Sequence, residues 1–160
     1  MSNQFDELSR AKYCAFLYLG RKMYTRHEML QKLLKKEYSP EVCEQTVDFL
    51  VESGYINDRD YAERYTKDAI NFKKQGVMKI KQDLAQKGID REIINSVIDE
   101  LDIDNSENLA KLIEQKTQKL DITDKKQRNR LIGFLLRRGY KYDEIFTAIR
   151  EYCDDEENYN

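Results

Sequence analysis

The sequence has few of the residues that interrupt helices. Its 160 residues include one proline and six glycines, which disfavours folds built from many strands and loops. Cys14, Cys43 and Cys153 are odd in number and far apart, so a disulfide framework is not expected and a reducing cytoplasm is favoured. No apolar run of about 18 residues occurs, and the first ten residues lack the pattern of a secretory signal. We therefore expect a cytoplasmic protein with no membrane span.

Groups that carry catalysis are also scarce. His27 is the only histidine, and no cysteine accompanies it at a metal-ligand spacing. A glycine-rich phosphate loop, a nucleophile elbow and an HExxH motif are all missing from the sequence. Asp58 lies near Asp60 but is explained by capping of the helix that follows it. We expect no enzymatic activity, no catalytic residue, no cofactor and no metal site.

The main positive feature is an internal repeat with an offset of 51 residues. Three segments align without a gap: LLKKEYSPEVCEQTVDFL (33–50), LAQKGIDREIINSVIDEL (84–101) and LLRRGYKYDEIFTAIREY (135–152). Most of their apolar columns are spaced to fall close to one face of an α-helix. An internal repeat of this kind determines the architecture, so it takes priority over other interpretations.

Particular columns carry specific predictions. The first leucines should occupy equivalent buried positions: Leu33, Leu84 and Leu135. A turn should fall four residues later: Glu37, Gly88 and Gly139. One column departs from the apolar rule, because Glu144 replaces the Val42 and Ile93 of the other repeats. We expect Glu144 to be at least partly exposed, since no further repeat would cover the third one.

Local signals divide the chain into nine helices. Thr25 and Glu28 form a capping box, Pro40 follows Ser39 at a helix start, and Asp58, Asp90 and Asp124 precede helical patterns. The predicted helices are 5–19, 25–36, 40–53, 58–73, 77–87, 91–101, 106–120, 124–138 and 142–152. The predicted fold is an all-α tandem array of three three-helix repeats, elongated and curved. The repeats are 1–54, 55–103 and 104–153, followed by an acidic tail at 154–160.

The charges are sorted along the repeat. The net charge is −2 and the isoelectric point is near 5.6, yet basic residues cluster around the second helix of each repeat, while acids collect in the third helices. The clusters of repeats two and three supply the candidate binding residues: Lys73, Lys74, Lys79, Lys81, Lys87, Lys125, Lys126, Arg128, Arg130, Arg137 and Arg138. If the repeats stack regularly, the clusters form a ladder that suits a long anionic partner. The alternative is that they form a solvated helix face.

Two stretches of the middle repeat resemble the RecX family of recombination regulators. They are GYINDRDYAERYTKDAI (54–70) and KKQGVMKIKQDLAQKGI (73–89). The matching positions are Asn57, Asp58, Tyr61, Ala62, Gly76, Ile80, Leu84, Lys87, Gly88 and Ile89. The similarity extends over nearly the whole chain, and the middle repeat carries its most specific part.

The resemblance implies a bacterial, cytoplasmic and monomeric protein that binds the RecA recombinase filament on DNA. It also implies modulation, mostly inhibition, of ATP hydrolysis and strand exchange in recombination, repair and the SOS response. Basic side chains of repeats two and three would then face DNA phosphates or an acidic filament surface. Single- or double-stranded DNA is a further candidate partner. Two alternatives stay open: a direct DNA-binding helical protein and a helical adaptor that binds only protein.

Overall fold

The computed structural model describes residues 2–159, and this part of the chain forms nine α-helices and no strand. The all-α prediction is confirmed. The helices are α1 (Ser2–Leu19), α2 (Arg26–Leu34), α3 (Pro40–Glu52), α4 (Asp58–Asn71), α5 (Val77–Gln86), α6 (Arg91–Leu101), α7 (Ser106–Thr117), α8 (Lys125–Arg137) and α9 (Tyr142–Tyr159). None of these described helices is both long and apolar enough to cross a bilayer.

The largest difference from the predicted helix bounds is at α9, which was expected to end at 152 and continues to Tyr159. Neither glycine nor proline follows Tyr152 to end the helix. The Tyr152 hydroxyl also donates to the Glu156 carboxylate one turn later, at 2.8 Å. Four acids of the expected tail, Asp154 to Glu157, are therefore helical.

The capping predictions were partly correct. The Thr25–Glu28 capping box is present, with both of its hydrogen bonds at 3.1 Å. Asp58, however, does not cap its own helix, because Asn57 accepts the Asp60 N–H at 3.1 Å. The Asp58 carboxylate instead accepts the first N–H of α2, from Arg26, at 2.8 Å. Asp58 thus caps a helix distant in sequence, which helix signals near it do not reveal.

The chain forms two compact units. The first contains the residues up to Arg64 together with Leu84–Val97, and the second contains Tyr65–Asp83 together with the residues from Ile98 onward. Helices α4, α5 and α6 contribute residues to both units. One core lies in each unit: Ala15, Tyr24, Met29, Leu33, Cys43, Val47, Leu50 and Ile56 in the first, and Leu109, Leu112, Ile113, Ile122, Leu131, Leu135, Tyr140, Ile145 and Ile149 in the second. The predicted repeat boundaries, elongation and curvature stay predictions.

The repeat columns behave as expected. Leu33, Leu84 and Leu135 are all fully buried. Four residues after each leucine the backbone turns with positive φ, at Glu37 (63°), Gly88 (77°) and Gly139 (95°). The predictions that these leucines are buried and that a turn follows each of them are confirmed. Their equivalence on superposition of the repeats stays a prediction.

Glu144 is half-buried, as expected for its column. Its carboxylate accepts the N–H of Lys141 at 2.8 Å, just before α9 begins. A glutamate at the third helical position satisfies a free N–H that an apolar residue leaves to solvent. Local capping therefore explains why this column changes from apolar to acidic.

A close turn-to-helix contact occurs once in each compact unit. In the first unit, the Thr25 hydroxyl donates to the Lys87 carbonyl at 2.7 Å, and a Cβ on Gly88 would lie 2.3 Å from the His27 Cβ. In the second unit, the Gly76 N–H donates to the Arg138 carbonyl at 2.8 Å. The second pair is offset from the first by one repeat length, 25 to 76 and 87 to 138. The same junction between a turn and the start of an earlier helix is therefore built twice.

Candidate partner-binding surface

In the second unit, the loop between α4 and α5 is tied to the turn between α8 and α9. The Tyr140 hydroxyl donates to the Lys74 carbonyl at 2.7 Å. The Arg138 guanidinium donates to the carbonyls of Lys73 and Lys74. The Met78 N–H donates to the Gly139 carbonyl at 3.0 Å. The loop from 72 to 76 is therefore held by the turn and is not free to move independently of it.

Lys74 is the point of backbone strain in this loop. Its φ is 49°, in the left-handed region that is costly for residues other than glycine. Such strain persists only where the surroundings determine the conformation, and here two side chains bind the Lys74 carbonyl. Burial raises the pKa of Tyr140 to about 12, so its hydroxyl keeps the donated proton at neutral pH. The hydroxyl can therefore donate to the Lys74 carbonyl at neutral pH.

The fixed loop presents apolar and basic side chains together. Phe72 is 81% exposed, and Lys73 beside it is exposed with its Nζ 5.3 Å from the Tyr65 ring centroid. Nearby, an open groove of about 420 Å³ is lined by Met78, Lys79, Gln82, Leu136, Arg137 and Gly139. We call Phe72, Lys73, Met78, Lys79, Leu136 and Arg137 the partner-binding surface, a name that marks them as candidates. Exposed apolar groups ringed by cations suit a protein partner with apolar and acidic groups.

One cation of this surface is already paired. The Lys79 ammonium lies 2.7 Å from the Asp83 carboxylate, which also accepts the Tyr65 hydroxyl at 2.8 Å. Burial opposes ionisation of Asp83, but these two hydrogen bonds lower its pKa below the usual value. Lys79 is therefore held in place by an ion pair, whereas Lys73 and Arg137 are exposed and Lys73 lies over the Tyr65 ring.

The predicted binding residues do not form one continuous cluster. Lys73, Lys74, Lys79, Arg137 and Arg138 are brought together around the loop and turn. Among them, Lys74 acts through its backbone, and the Arg138 side chain is half-buried with its guanidinium directed at backbone carbonyls.

The other predicted residues lie elsewhere. Lys125, Lys126 and Arg130 are exposed in the first half of α8, and the half-buried Arg128 donates to the Ile122 carbonyl at 3.1 Å. Because a helix rises 1.5 Å per residue, the start of α8 is about 18 Å from Arg137. This helix start is a second group of cations, separate from the partner-binding surface.

Lys81 and Lys87 have different surroundings. Lys81 is half-buried in a cleft that contains Asp99, Asp102 and Glu144. In the first unit, the Lys87 ammonium pairs with Glu28 at 3.1 Å. Burial opposes its charge, but hydrogen bonds to Tyr61 and Glu28 raise its pKa. Lys87 thus stabilises the junction at the start of α2.

Sequence reasoning missed the apolar members of the surface. Phe72, Met78 and Leu136 are 81%, 52% and 44% exposed, although residues of these types usually pack inside. The available signal was the stretch NFKKQGVM (71–78), in which large apolar residues flank two lysines next to a glycine. The role of the Tyr140 hydroxyl left no such signal, because its partner, the Lys74 carbonyl, is distant in sequence.

Comparisons with known proteins agree with the repeat and its order. Sequence models of the first, second and third three-helix domains of RecX match residues 11–50, 57–98 and 102–149. The chain is 33% identical over 150 residues to the regulatory protein RecX of Clostridium botulinum (strain Alaska E43 / Type E3), covering 91% of this chain and 70% of that one. It is 32% identical over 152 residues to the regulatory protein RecX of Clostridium acetobutylicum, with the same two coverages.

Solved structures give the same result for the fold. The crystal structure of RecX from Lactobacillus salivarius superposes with a TM-score of 0.82 at 29% identity, covering 91% of this chain and 96% of that one. A second crystal structure, of a regulatory protein RecX, has a TM-score of 0.81 at 21% identity and covers 92% of this chain and 74% of that one. All three domains match in order, and relatives above 30% identity align with nine-tenths of the sequence, so this chain belongs to the RecX family of regulatory proteins.

Proposed function

We propose that this protein binds RecA recombinase filaments on DNA and restrains their ATP hydrolysis and strand exchange. Family membership supports a regulatory role rather than catalysis. The observation that carries the proposal is the fixed loop, which presents Phe72 and Lys73 beside a groove bordered by Arg137. A rigid surface of this kind loses little conformational freedom when it binds. In this proposal the protein acts as a monomer in the bacterial cytoplasm.

The mixed chemistry of this surface favours a filament over bare DNA as the main partner. Binding to phosphates alone needs many cations and gives no use for exposed apolar groups such as Phe72 and Met78. The net charge of −2 also opposes binding to bare nucleic acid. A recombinase surface with acidic and apolar groups would engage both kinds of side chain.

The start of α8 provides the contact with DNA inside the filament. Lys125 and Lys126 occupy its first two positions, at the positive end of the helix dipole. Cations there raise the local potential and do not stabilise the helix, so anionic phosphate is the partner that this arrangement suits. Contact at two separated places lets one molecule bridge filament subunits, which opposes the conformational cycling that hydrolysis drives.

The test measures ATP hydrolysis by recombinase on single-stranded DNA while this protein is titrated. The first variant carries Lys73→Glu and Arg137→Glu. The second carries Lys125→Glu, Lys126→Glu and Arg130→Glu. A matched control, Lys67→Glu with Lys119→Glu, reverses two exposed lysines outside both groups of cations. We expect the concentration for half-inhibition to rise at least about tenfold for the first two variants, equivalent to ~1.4 kcal/mol, and to stay unchanged in the control.

Folding is checked by circular dichroism and thermal melting. Glutamates at the first positions of α8 interact favourably with its dipole, so the second variant should melt no lower than wild type. Anisotropy of a labelled oligonucleotide without recombinase separates direct DNA binding from filament binding. If both variants inhibit as well as wild type at low salt, the proposed contacts are wrong. Tight binding to the bare oligonucleotide at moderate salt would favour the direct DNA-binding alternative.

A further inference from the structure

A groove of about 480 Å³ between α7 and α9 in the second unit shares no lining residue with the partner-binding surface. Its rim is acidic: Asp104, Asp143, Glu144, Glu151 and Asp155. No lysine, arginine or histidine of the described chain lines it. Two of these acids have local roles, since Asp104 accepts the Ser106 N–H and Glu144 accepts that of Lys141. The rim as a whole is nonetheless a concentrated negative field around one groove.

Part of the groove lining is apolar. Leu109 is buried at its base, and Ile103, Ala110, Ala148 and Tyr152 complete the apolar part of the lining. Two small alanines leave room that larger residues would fill. A groove lined by both acids and apolar groups suits an amphipathic ligand, whereas a simple cation would use only the acids.

Asn105 adds an unsatisfied polar group to the lining. The residue is 5% exposed, and neither its side-chain oxygen nor its nitrogen has a hydrogen-bond partner within residues 2–159. It precedes α7 in the capping position, but its side chain makes no capping bond. A buried amide without partners destabilises a fold. The donor and acceptor of one amide match the carbonyl and N–H of a peptide group.

The acids of α9 are not explained by helix stability. Glu151 and Asp155 lie in the second half of α9, and its last turn contains no basic residue. The two carboxylates are one helical turn apart, and like charges at this spacing destabilise a helix. Glu151 and Asp155 therefore do not stabilise α9.

We propose that this groove binds a basic segment of a partner protein. A lysine or arginine of that segment meets the acidic rim, and an apolar side chain enters the groove. The buried Asn105 amide turns toward the bound segment and pairs with a peptide group. The charge complementarity identifies the ligand as cationic, and the apolar interior with Asn105 favours a peptide over a polyamine. The inference does not depend on the recombinase proposal, because it uses different residues and the opposite charge.

The probe is a fluorescein-labelled twelve-residue peptide of lysine, arginine and leucine, with leucine at every fourth position. Two control peptides are used. In the serine peptide every leucine is replaced by serine, and in the glutamate peptide every lysine and arginine is replaced by glutamate. Binding to the full chain is followed by fluorescence anisotropy at two salt concentrations. We expect the first peptide to bind, the serine peptide to bind at least about tenfold more weakly, and the glutamate peptide not to bind.

Two variants and a matched control locate the site on the protein. Glu151→Gln with Asp155→Asn removes rim charge, and Ala110→Trp fills the groove from an exposed position. Each should weaken peptide binding at least about tenfold. A matched control, Glu41→Gln with Glu52→Gln, removes two exposed acids from α3 and should leave binding unchanged.

Asn105→Leu separates a binding role from a structural one. Removing the buried amide should raise the melting temperature by about 2–4 °C while it weakens peptide binding. A lower melting temperature together with unchanged binding would mean that Asn105 serves the fold.

Four results overturn the proposal. The first two are equal binding of the serine peptide and peptide binding that is insensitive to Ala110→Trp. The third is binding of spermidine but of no peptide. The fourth is occupation of the groove by the basic segment 124–131 of a second copy of this chain, seen as self-association.

Discussion

At the residue scale, one repeat column shows that glycine has two separate uses. Glu37, Gly88 and Gly139 all turn with positive φ. A Cβ at Gly88 or Gly139 would meet a neighbour at 2.3 Å, whereas the Glu37 side chain is exposed. Backbone strain alone is tolerated at Glu37, while strain and close approach together require glycine at the other two positions.

This difference predicts opposite effects of substitution. Glu37→Gly should stabilise the fold by about 0.5–1 kcal/mol, because it removes left-handed strain. Gly139→Ala should destabilise it by more than about 2 kcal/mol, because strain adds to a clash with the backbone N of Lys79. Urea unfolding monitored by circular dichroism measures both values. Equal tolerance of alanine at 37 and 139 would contradict the role of close approach.

The ionisation of Asp83 should make the free energy of unfolding depend on pH. Its folded pKa is lowered, so it stabilises the protein above its unfolded pKa of about 3.9 and loses this effect as the pH falls through the folded pKa. Asp83→Asn should cost about 1–2 kcal/mol at pH 7. The difference from wild type should shrink below about pH 4. Urea unfolding from pH 7 to pH 3 measures it, and a difference that is constant with pH would refute the ionic role.

At the element scale, one turn determines the shape of a distant loop. The α8–α9 turn provides the backbone acceptors for Gly76 and Met78, and it also carries the Tyr140 hydroxyl that binds Lys74. The C-terminal end of one helix thus meets the N-terminal start of another, which pairs their unsatisfied carbonyl and N–H groups. The loop that carries Phe72 is ordered by this contact.

Tyr140→Phe tests the order of this loop. Loss of the hydroxyl leaves the Lys74 carbonyl with one donor fewer and should lower stability by about 1 kcal/mol. Amide exchange of residues 72–76, measured by mass spectrometry, should accelerate more than exchange in the core of α8. Tyr142→Phe is the matched control, since Tyr142 is 61% exposed. Unchanged exchange in the loop would show that the backbone contacts suffice.

At the scale of the whole molecule, the net charge of −2 is the sum of separate regions of opposite sign. Cations lie on the partner-binding surface and at the start of α8, whereas acids line the α7–α9 groove and the end of α9. Overall charge is therefore a poor guide to the partners of this protein. Each region has to be tested by its own assay.

We expect deletion of residues 154–160 to have opposite effects on recombinase inhibition and on binding of the basic peptide. Inhibition of recombinase should be kept or strengthened, because negative charge that opposes an anionic partner is removed. Binding of the basic peptide should weaken, because Asp155 leaves the groove. Both effects should fade with salt, since exposed charges are screened beyond about 8–10 Å at physiological ionic strength. Weaker inhibition after this deletion would mean that the end of α9 contacts the filament directly.

The sequence by itself determined the helices, the repeat and the family. Helix starts such as the Thr25–Glu28 capping box depend on neighbours a few residues away, and the columns of Leu33, Leu84 and Leu135 depend on a constant spacing. Such signals are local or periodic, so they can be recognised in the sequence without knowledge of the fold. The same reasoning located the basic clusters but not the direction of each side chain.

Only the tertiary structure decided which groups meet. It directs the Arg138 guanidinium to a carbonyl 65 residues away, and it assigns Asp58 to the cap of α2 rather than of α4. It also buries Asn105 beneath an acidic groove and leaves Phe72 exposed. These contacts join residues far apart in sequence, and their energies depend on burial and distance, neither of which can be read from residue type and spacing.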